Sequence, residues 1–136
     1  MMDKLIFDTE YWNVFLSDDQ TYLGRIAVEL KRVSPTLSDL TNEEFADLHN
    51  VIKQYEAAAT KAFGAKMFNW TCLMNDAYKR TPPNPHVHWH ARPRYDKPVE
   101  FVGETFVDPN FGEHYIRGTK REVSKVIQNK IIEALR

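Results

Sequence analysis

Apolar residues recur every second position in some stretches of the chain and every third or fourth in others, and the switch between the two periods divides it into elements. Tyr11 to Leu16 is rich in aromatic and β-branched residues and predicts a strand. Ser17-Asp18-Asp19-Gln20 predicts a turn. From Tyr22 to Lys31, Gly24, Ile26, Val28 and Leu30 alternate with Arg25, Ala27, Glu29 and Lys31, which predicts a second strand with Arg25 on its polar face. A short turn between the two strands predicts an antiparallel hairpin. After a connection from Ser34 to Leu40, Thr41-Asn42-Glu43-Glu44 has the form of a capping box. Phe45, Leu48, Ile52, Tyr55, Ala59, Ala62 and Phe63 then follow at three- and four-residue steps, predicting an amphipathic helix over 42–63 with Gly64 as its stop. His49 lies off that stripe, facing solvent.

The period returns to two at Met67. A third strand is predicted from Met67 to Asn75, with Phe68, Trp70, Cys72 and Met74 on one face and Asn69, Thr71, Leu73 and Asn75 on the other. Lys79 to Pro85 predicts a loop carrying three prolines. His86-Val87-His88-Trp89-His90-Ala91 then alternates strictly, so a strand places three imidazoles on one face and an apolar anchor on the other. Val99 to Gly103 predicts a short strand and Asp108 to Gly112 a turn. Thr119-Lys120-Arg121-Glu122 predicts a second capping box, before a helix marked by Val123, Val126, Ile127, Ile131 and Leu135. Hairpin-like joins and irregular βα alternation predict an α+β fold, an antiparallel sheet of about five strands with a long central helix and a C-terminal helix, in one domain over 1–136.

Composition narrows the function without naming it. The chain has 136 residues, 43% hydrophobic and 27% charged, enough to bury a core. Its net charge of −1 provides no basic footprint for nucleic acid. Cys72 is the only cysteine, so no internal disulfide forms, and it reads as a small buried hydrophobe. No apolar run is long enough to span a membrane, and the N-terminus lacks a secretory signal, which predicts a cytoplasmic protein.

The candidate chemistry lies in the histidine strand, which holds three of the five histidines. Imidazole titrates near neutral pH and serves as nucleophile, general acid or base, or metal ligand. A middle histidine flanked by two others can attack an electrophile while its neighbours hold charge. Lys79, Arg80, Arg92, Arg94 and Lys97 crowd the same region, against Asp76 and Asp96, and suit an anionic, phosphate-bearing ligand.

The segment His86-Val87-His88-Trp89-His90-Ala91-Arg92 resembles the His-φ-His-φ-His-φ-φ signature of the histidine triad (HIT) superfamily, apart from Arg92 at its last position. The likeness extends back through the hairpin, Gly24, the long helix and the strand ending at Asn75. Pro93-Arg94 resembles the branch that cleaves dinucleoside polyphosphates, and the segment after Val99 lies outside the match. The resemblance implies a nucleotide hydrolase acting at the α-phosphate of dinucleoside polyphosphates or nucleoside phosphoramidates. His88 is then the nucleophile that forms a covalent nucleotidyl-histidine. His90 hydrogen-bonds the phosphate or leaving group, and His86 orients His88. Asn75 is placed against the phosphate. Transferase relatives usually carry Gln in place of the third histidine, so His90 favours hydrolysis. No cofactor and no metal are implied, the partner is a nucleotide, and a homodimer is possible.

Three positions depart from the family pattern. Arg25 stands where many members have His after the strand-opening glycine. Ser17, with Asp18 beside it, stands where the family grips the ribose. Thr81-Pro82-Pro83-Asn84-Pro85 replaces a Gly-Gln-Ser or Gly-Gln-Thr stretch, leaving Thr81 or Asn84 to touch the phosphate. These departures leave open a second function, a nucleotide-binding module of the same fold with weak catalysis. A metal site built on the His-x-His pairs is the third.

Overall fold

The computed structural model describes residues 2–136. Five strands form one antiparallel sheet: β1 (Leu5–Asp8), β2 (Trp12–Leu16), β3 (Ile26–Leu30), β4 (Met67–Thr71) and β5 (His88–Arg94), in the spatial order β1-β2-β3-β5-β4. Helix α1 (Asn42–Phe63) connects β3 to β4, and α2 (Lys125–Leu135) ends the chain. A separate two-stranded ribbon, β6 (Val99–Phe101) with β7 (Glu104–Phe106), follows β5. The α+β architecture expected from the sequence is the one observed. Among the described residues no helix is long and apolar enough to cross a membrane.

The register explains how the sheet separates core from site. Val14 pairs with Val28, Val28 with Trp89, Ile26 with Ala91 and Ala91 with Trp70, so these side chains share one face. Helix α1 covers it with Leu48, Val51, Tyr55, Ala59 and Phe63, all buried. Tyr55 packs edge-on against Phe68 and Trp70 at 5.6 and 5.9 Å between ring centroids. Each large apolar side chain buried there contributes about 1.5–3 kcal/mol. On the opposite face His90 pairs with Ala27 and Thr71, and His88 with Glu29. That face receives the imidazoles.

Thr41 and Glu44 form the expected capping box on α1, and Gly64 closes the helix in the left-handed region at φ +77°. The apolar stripe sits slightly rotated from the expected one. Val51 is buried in it, while Phe45 and Ala62 are exposed. His49 is exposed, as expected.

Several boundaries differ from expectation. Strand β1 carries too short a pattern to be read from sequence and adds an edge to the hairpin. β3 begins only at Ile26, because Tyr22 to Arg25 form a turn closed by the Arg25 N–H to the Tyr22 carbonyl at 3.0 Å. Gly24 turns there at φ +87°, and a Cβ would meet the Phe63 ring and Pro93 at 3.4–3.5 Å. β4 ends at Thr71, so Asn75 opens a 3₁₀ turn (Asn75–Lys79) instead of closing a strand. β5 starts at His88 and runs through Pro93, which pairs only with Phe68 of β4. His86 therefore precedes the ladder. Thr119 to Glu122 do not cap α2. Ser124 does, accepting from the Ile127 N–H at 3.3 Å. The face of α2 turned inward is Ile127, Ile131, Ile132 and Leu135, with Val126 in solvent.

Candidate active site

His88 and His90 stand side by side on β5, their rings 5.1 Å apart and perpendicular. They line a cleft of about 140 Å³. Thr71 from the end of β4 and Asn75 from the 3₁₀ turn form one wall. Arg25, entering from the turn before β3, and Arg92, one strand step beyond His90, form the floor at the far end. Tyr115 and Arg117, from the irregular segment between β7 and α2, close it over.

The His88 ring has a defined tautomer. Its Nδ1 lies 2.8 Å from the backbone carbonyl of His86. A carbonyl only accepts, so in the neutral ring Nδ1 carries the hydrogen and Nε2 keeps its lone pair. The His86 ring turns elsewhere. Its Nδ1 accepts weakly from the Ser34 N–H at 3.4 Å, and the ring faces a second, more open groove of about 230 Å³. His88 borders both spaces, with Glu29, Arg80 and Asn84 along the second.

His90 is electrostatically different. Burial, and then the neighbouring charge of Arg25, push its imidazole down to about 4. Its Nδ1 is buried without a hydrogen-bond partner. At neutral pH it is an uncharged ring. As pH falls from 6.5 towards about 4, the unfolded chain takes up a proton here that the folded chain refuses. Folding stability is therefore full above about 6.5 and falls across that window, by about 3 kcal/mol. Melting temperatures measured at pH 7, 5.5 and 4.5 are expected to fall less steeply for His90→Asn than for the native chain. Parallel slopes would remove His90 as the cause.

Arg25 places Nη1 3.2 Å from an Asp19 carboxylate oxygen, with its side chain 15% exposed. Asp19 also accepts from the Thr21 N–H and hydroxyl and from the Arg121 N–H. Burial raises the Asp19 carboxyl, but these bonds outweigh it and hold it below the ordinary range. Burial likewise lowers both Arg25 and Arg92 from the usual arginine value. Arg92 stacks over the Tyr115 ring, 3.8 Å from its centroid.

The cleft lid is tied down by a buried hub. Arg94, fully buried, pairs with the Asp108 carboxylate and donates to the Glu113 and Asn110 carbonyls at 2.6 and 2.9 Å. The Tyr22 hydroxyl donates to Asn110 Oδ1 and accepts the Ile116 N–H at 2.8 Å. These contacts hold residues 108–116 against the sheet and set the Tyr115 ring against Arg92 at the cleft.

Of the residues singled out in the sequence, the structure brings His88, His90, Asn75 and Arg25 into one cleft, with Arg92 from the basic cluster. His86 contributes its carbonyl. Ser17, Asp18 and Thr81 do not line the cleft. Ser17 lies in the turn, where its Oγ accepts from the Asp19 N–H at 3.4 Å. Asp18 is exposed and pairs with Lys4, and Thr81 is exposed in the proline-rich loop. Arg94 belongs to the hub, not to the ligand space. Sequence reasoning missed Asp19, Tyr115 and Arg117. The alternation that aligns the histidines does extend to Arg92, which is the one local signal for the basic floor. Among the described residues no group of three or more His, Cys, Asp or Glu is arranged to hold a metal ion.

Comparison with known proteins bears on the family and the fold. Residues 1–97 match the HIT domain. Over 92 residues, 68% of the chain, it is 34% identical to the nitrilase and fragile histidine triad fusion protein NitFhit of Caenorhabditis elegans. The match spans 20% of that protein's length. A crystal structure of a histidine triad protein from Sinorhizobium meliloti 1021 superposes with a TM-score of 0.74 at 17% identity, covering 96% of this chain and 85% of that one. A hypothetical histidine triad nucleotide-binding protein from Sulfolobus tokodaii superposes at 0.70 with 14% identity, over 97% and 80% of the two chains.

Proposed function

The chain belongs to the HIT domain family, and on that premise we propose that it is a nucleotide hydrolase that cleaves at the α-phosphate of dinucleoside polyphosphates or nucleoside phosphoramidates through a nucleotidyl-His88 intermediate. The observation that carries this is the hydrogen bond of His88 Nδ1 to the His86 carbonyl. In the neutral ring it leaves the Nε2 lone pair free, on a side chain that lines a cleft also lined by Arg25, Arg92 and Arg117. In the first step the Nε2 lone pair forms a bond to the α-phosphorus, and the bond to the departing group breaks with its electron pair, a departing oxygen leaving as an anion and a departing nitrogen taking a proton from water. Positive charge developing on the imidazole is stabilised through Nδ1–H by the His86 carbonyl. In the second step water adds to phosphorus, the N–P bond returns its pair to Nε2, and the water's proton passes to solvent. Asn75 and the His90 ring supply neutral polar groups for the phosphoryl oxygens, and Arg25 adds charge.

The test is mass spectrometry of the intact protein after brief mixing with a panel of nucleotides, quenched without acid, beside His88→Ala. A nucleotidyl mass on the native chain alone is the expected result. Bound nucleotide with neither adduct nor product would replace hydrolysis by the second function, a binding module. The exposed Thr81-Pro82-Pro83 segment favours that second function in one respect, because it brings no donor to the cleft.

A further inference from the structure

We infer that the basic floor of the cleft is a subsite for a second phosphate, carried by the group that leaves the α-phosphorus. Arg25 and Arg92 thereby select substrates whose departing group is a phosphate chain over those whose departing group is an amine. The inference rests on the nucleotidyl-His88 reading of the same site.

The first argument is unbalanced charge. Arg92 is 9% exposed, and no ion pair or hydrogen bond is made by its guanidinium among the described residues. Its one close partner is the Tyr115 ring, and its Nη1 is buried without a hydrogen-bond acceptor. Arg25 Nε is buried and unsatisfied too, and its one carboxylate, Asp19, is shared with three other donors. Arg117 adds a third cation at the rim. The acid in the lining, Asp76, is exposed and pairs with Lys79. A buried Arg92 with no counter-ion, beside a half-buried Arg25 with one, is a costly arrangement unless an anion completes it. Their planar forks match phosphate oxygens.

The second argument is position. Arg92 follows His90 on the same face of β5, and Arg25 adjoins the Ile26–Ala91 pair at the neighbouring strand end. The arginines therefore lie beyond His90 from the nucleophile, and in-line attack requires the departing group on the side of phosphorus away from His88.

The third argument is the departing group's proton. When the P–O bond of a phosphate chain breaks, the electron pair stays on a phosphate oxygen, which is stable as an anion. When a P–N bond breaks, the amine must take a proton. His90, held neutral down to about 4 by burial and by Arg25, offers a hydrogen bond but no stored proton at neutral pH. Burial first, and then the charge of the same arginines, keeps from His90 the proton that an amine needs.

Diadenosine triphosphate and adenosine 5′-phosphoramidate share the adenylyl group and differ in what departs. The ratio of their kcat/KM values is read for the native chain, Arg92→Leu and Arg92→Lys, so that any inactive fraction cancels. The ratio is expected to fall about 10- to 100-fold in Arg92→Leu, and less in Arg92→Lys, which keeps the charge but loses the fork. A ratio unchanged within about twofold, the scatter expected of context-dependent contacts, overturns the subsite and leaves the His88 chemistry standing. If the native chain turns over neither substrate, the hydrolase reading fails, and calorimetric titration with inorganic pyrophosphate decides the subsite alone. Weaker pyrophosphate binding by Arg92→Leu then supports it, and equal binding overturns it.

Discussion

His88→Ala is expected to lower nucleotide turnover by about 10⁴-fold or more, with nucleotide affinity changed by only a small factor. The asymmetry follows from where the ring sits. In the proposed mechanism His88 Nε2 makes the covalent bond, and no other imidazole in the cleft is placed to replace it. The His86 ring faces the second groove, and His90 is a half-buried neutral ring whose buried Nδ1 has no partner to fix its tautomer. The other polar groups lining the cleft, Asn75, Arg25 and Arg92, are the expected binding residues, and the substitution leaves them in place. The strand is not at risk either, since Val87 and Ala91, fully buried, and Trp89, packed against the core, hold it from the other face. Single-turnover kinetics and calorimetric binding of a nucleoside monophosphate separate the two effects. A variant that keeps turnover within tenfold of native would place the nucleophile elsewhere. A variant that loses binding in proportion to turnover would make His88 a binding residue.

What could be read from the sequence divides along local and long-range lines. The histidine row, the capping box at Thr41 and Glu44 and the stop at Gly64 are all encoded within a few residues, and the structure repeats them. Arg25 was placed correctly because strand alternation puts it on the polar face, even though the strand itself starts one residue later. The second capping box misled, because Thr119 to Glu122 has the right residue types while Ser124 has the position that leads into the buried face of α2. Tyr115 and Arg117 were illegible for a different reason. Their segment has no period, and its place is set by contacts such as Tyr22 to Asn110 and Ile116, 88 and 94 residues apart. Ser17 and Asp18 illustrate a shift of one or two positions. The neighbouring acid that reaches the cleft, through Arg25, is Asp19.

Breaking the buried hub is expected to have the largest effect on stability. Arg94 and Asp108 both have side chains with 0% exposure and meet in a two-pronged contact, Nε to Oδ2 at 2.7 Å and Nη2 to Oδ1 at 3.2 Å. Arg94 Nη1 also donates to Asn69 Oδ1 at 2.8 Å, and Asp108 accepts from the Tyr95 and Asn110 N–H groups. Burial raises the Asp108 carboxyl, and the bond from Arg94 is the main force holding it below the usual range. Arg94→Met leaves that carboxylate buried beside apolar atoms, a change that costs about 3–5 kcal/mol and about 10–20 °C in Tm for a chain of this size. The double variant Arg94→Met with Asp108→Leu removes both charges and is expected to recover much of the loss, since apolar replacement of a whole buried pair is often near neutral. Hydrogen exchange adds a test that bears on the site. In Arg94→Met, amides from 108 to 116 are expected to lose protection before those of β5 and α1, because the hub is what ties that segment to the sheet. Tyr115 would then leave Arg92, and turnover would fall although no residue lining the cleft had changed. A single variant within about 1 kcal/mol of native, the size of one ordinary hydrogen bond, would show that the pair contributes little. A double variant no more stable than the single one would move the weight to the Arg94 contacts with Asn69, Asn110 and Glu113.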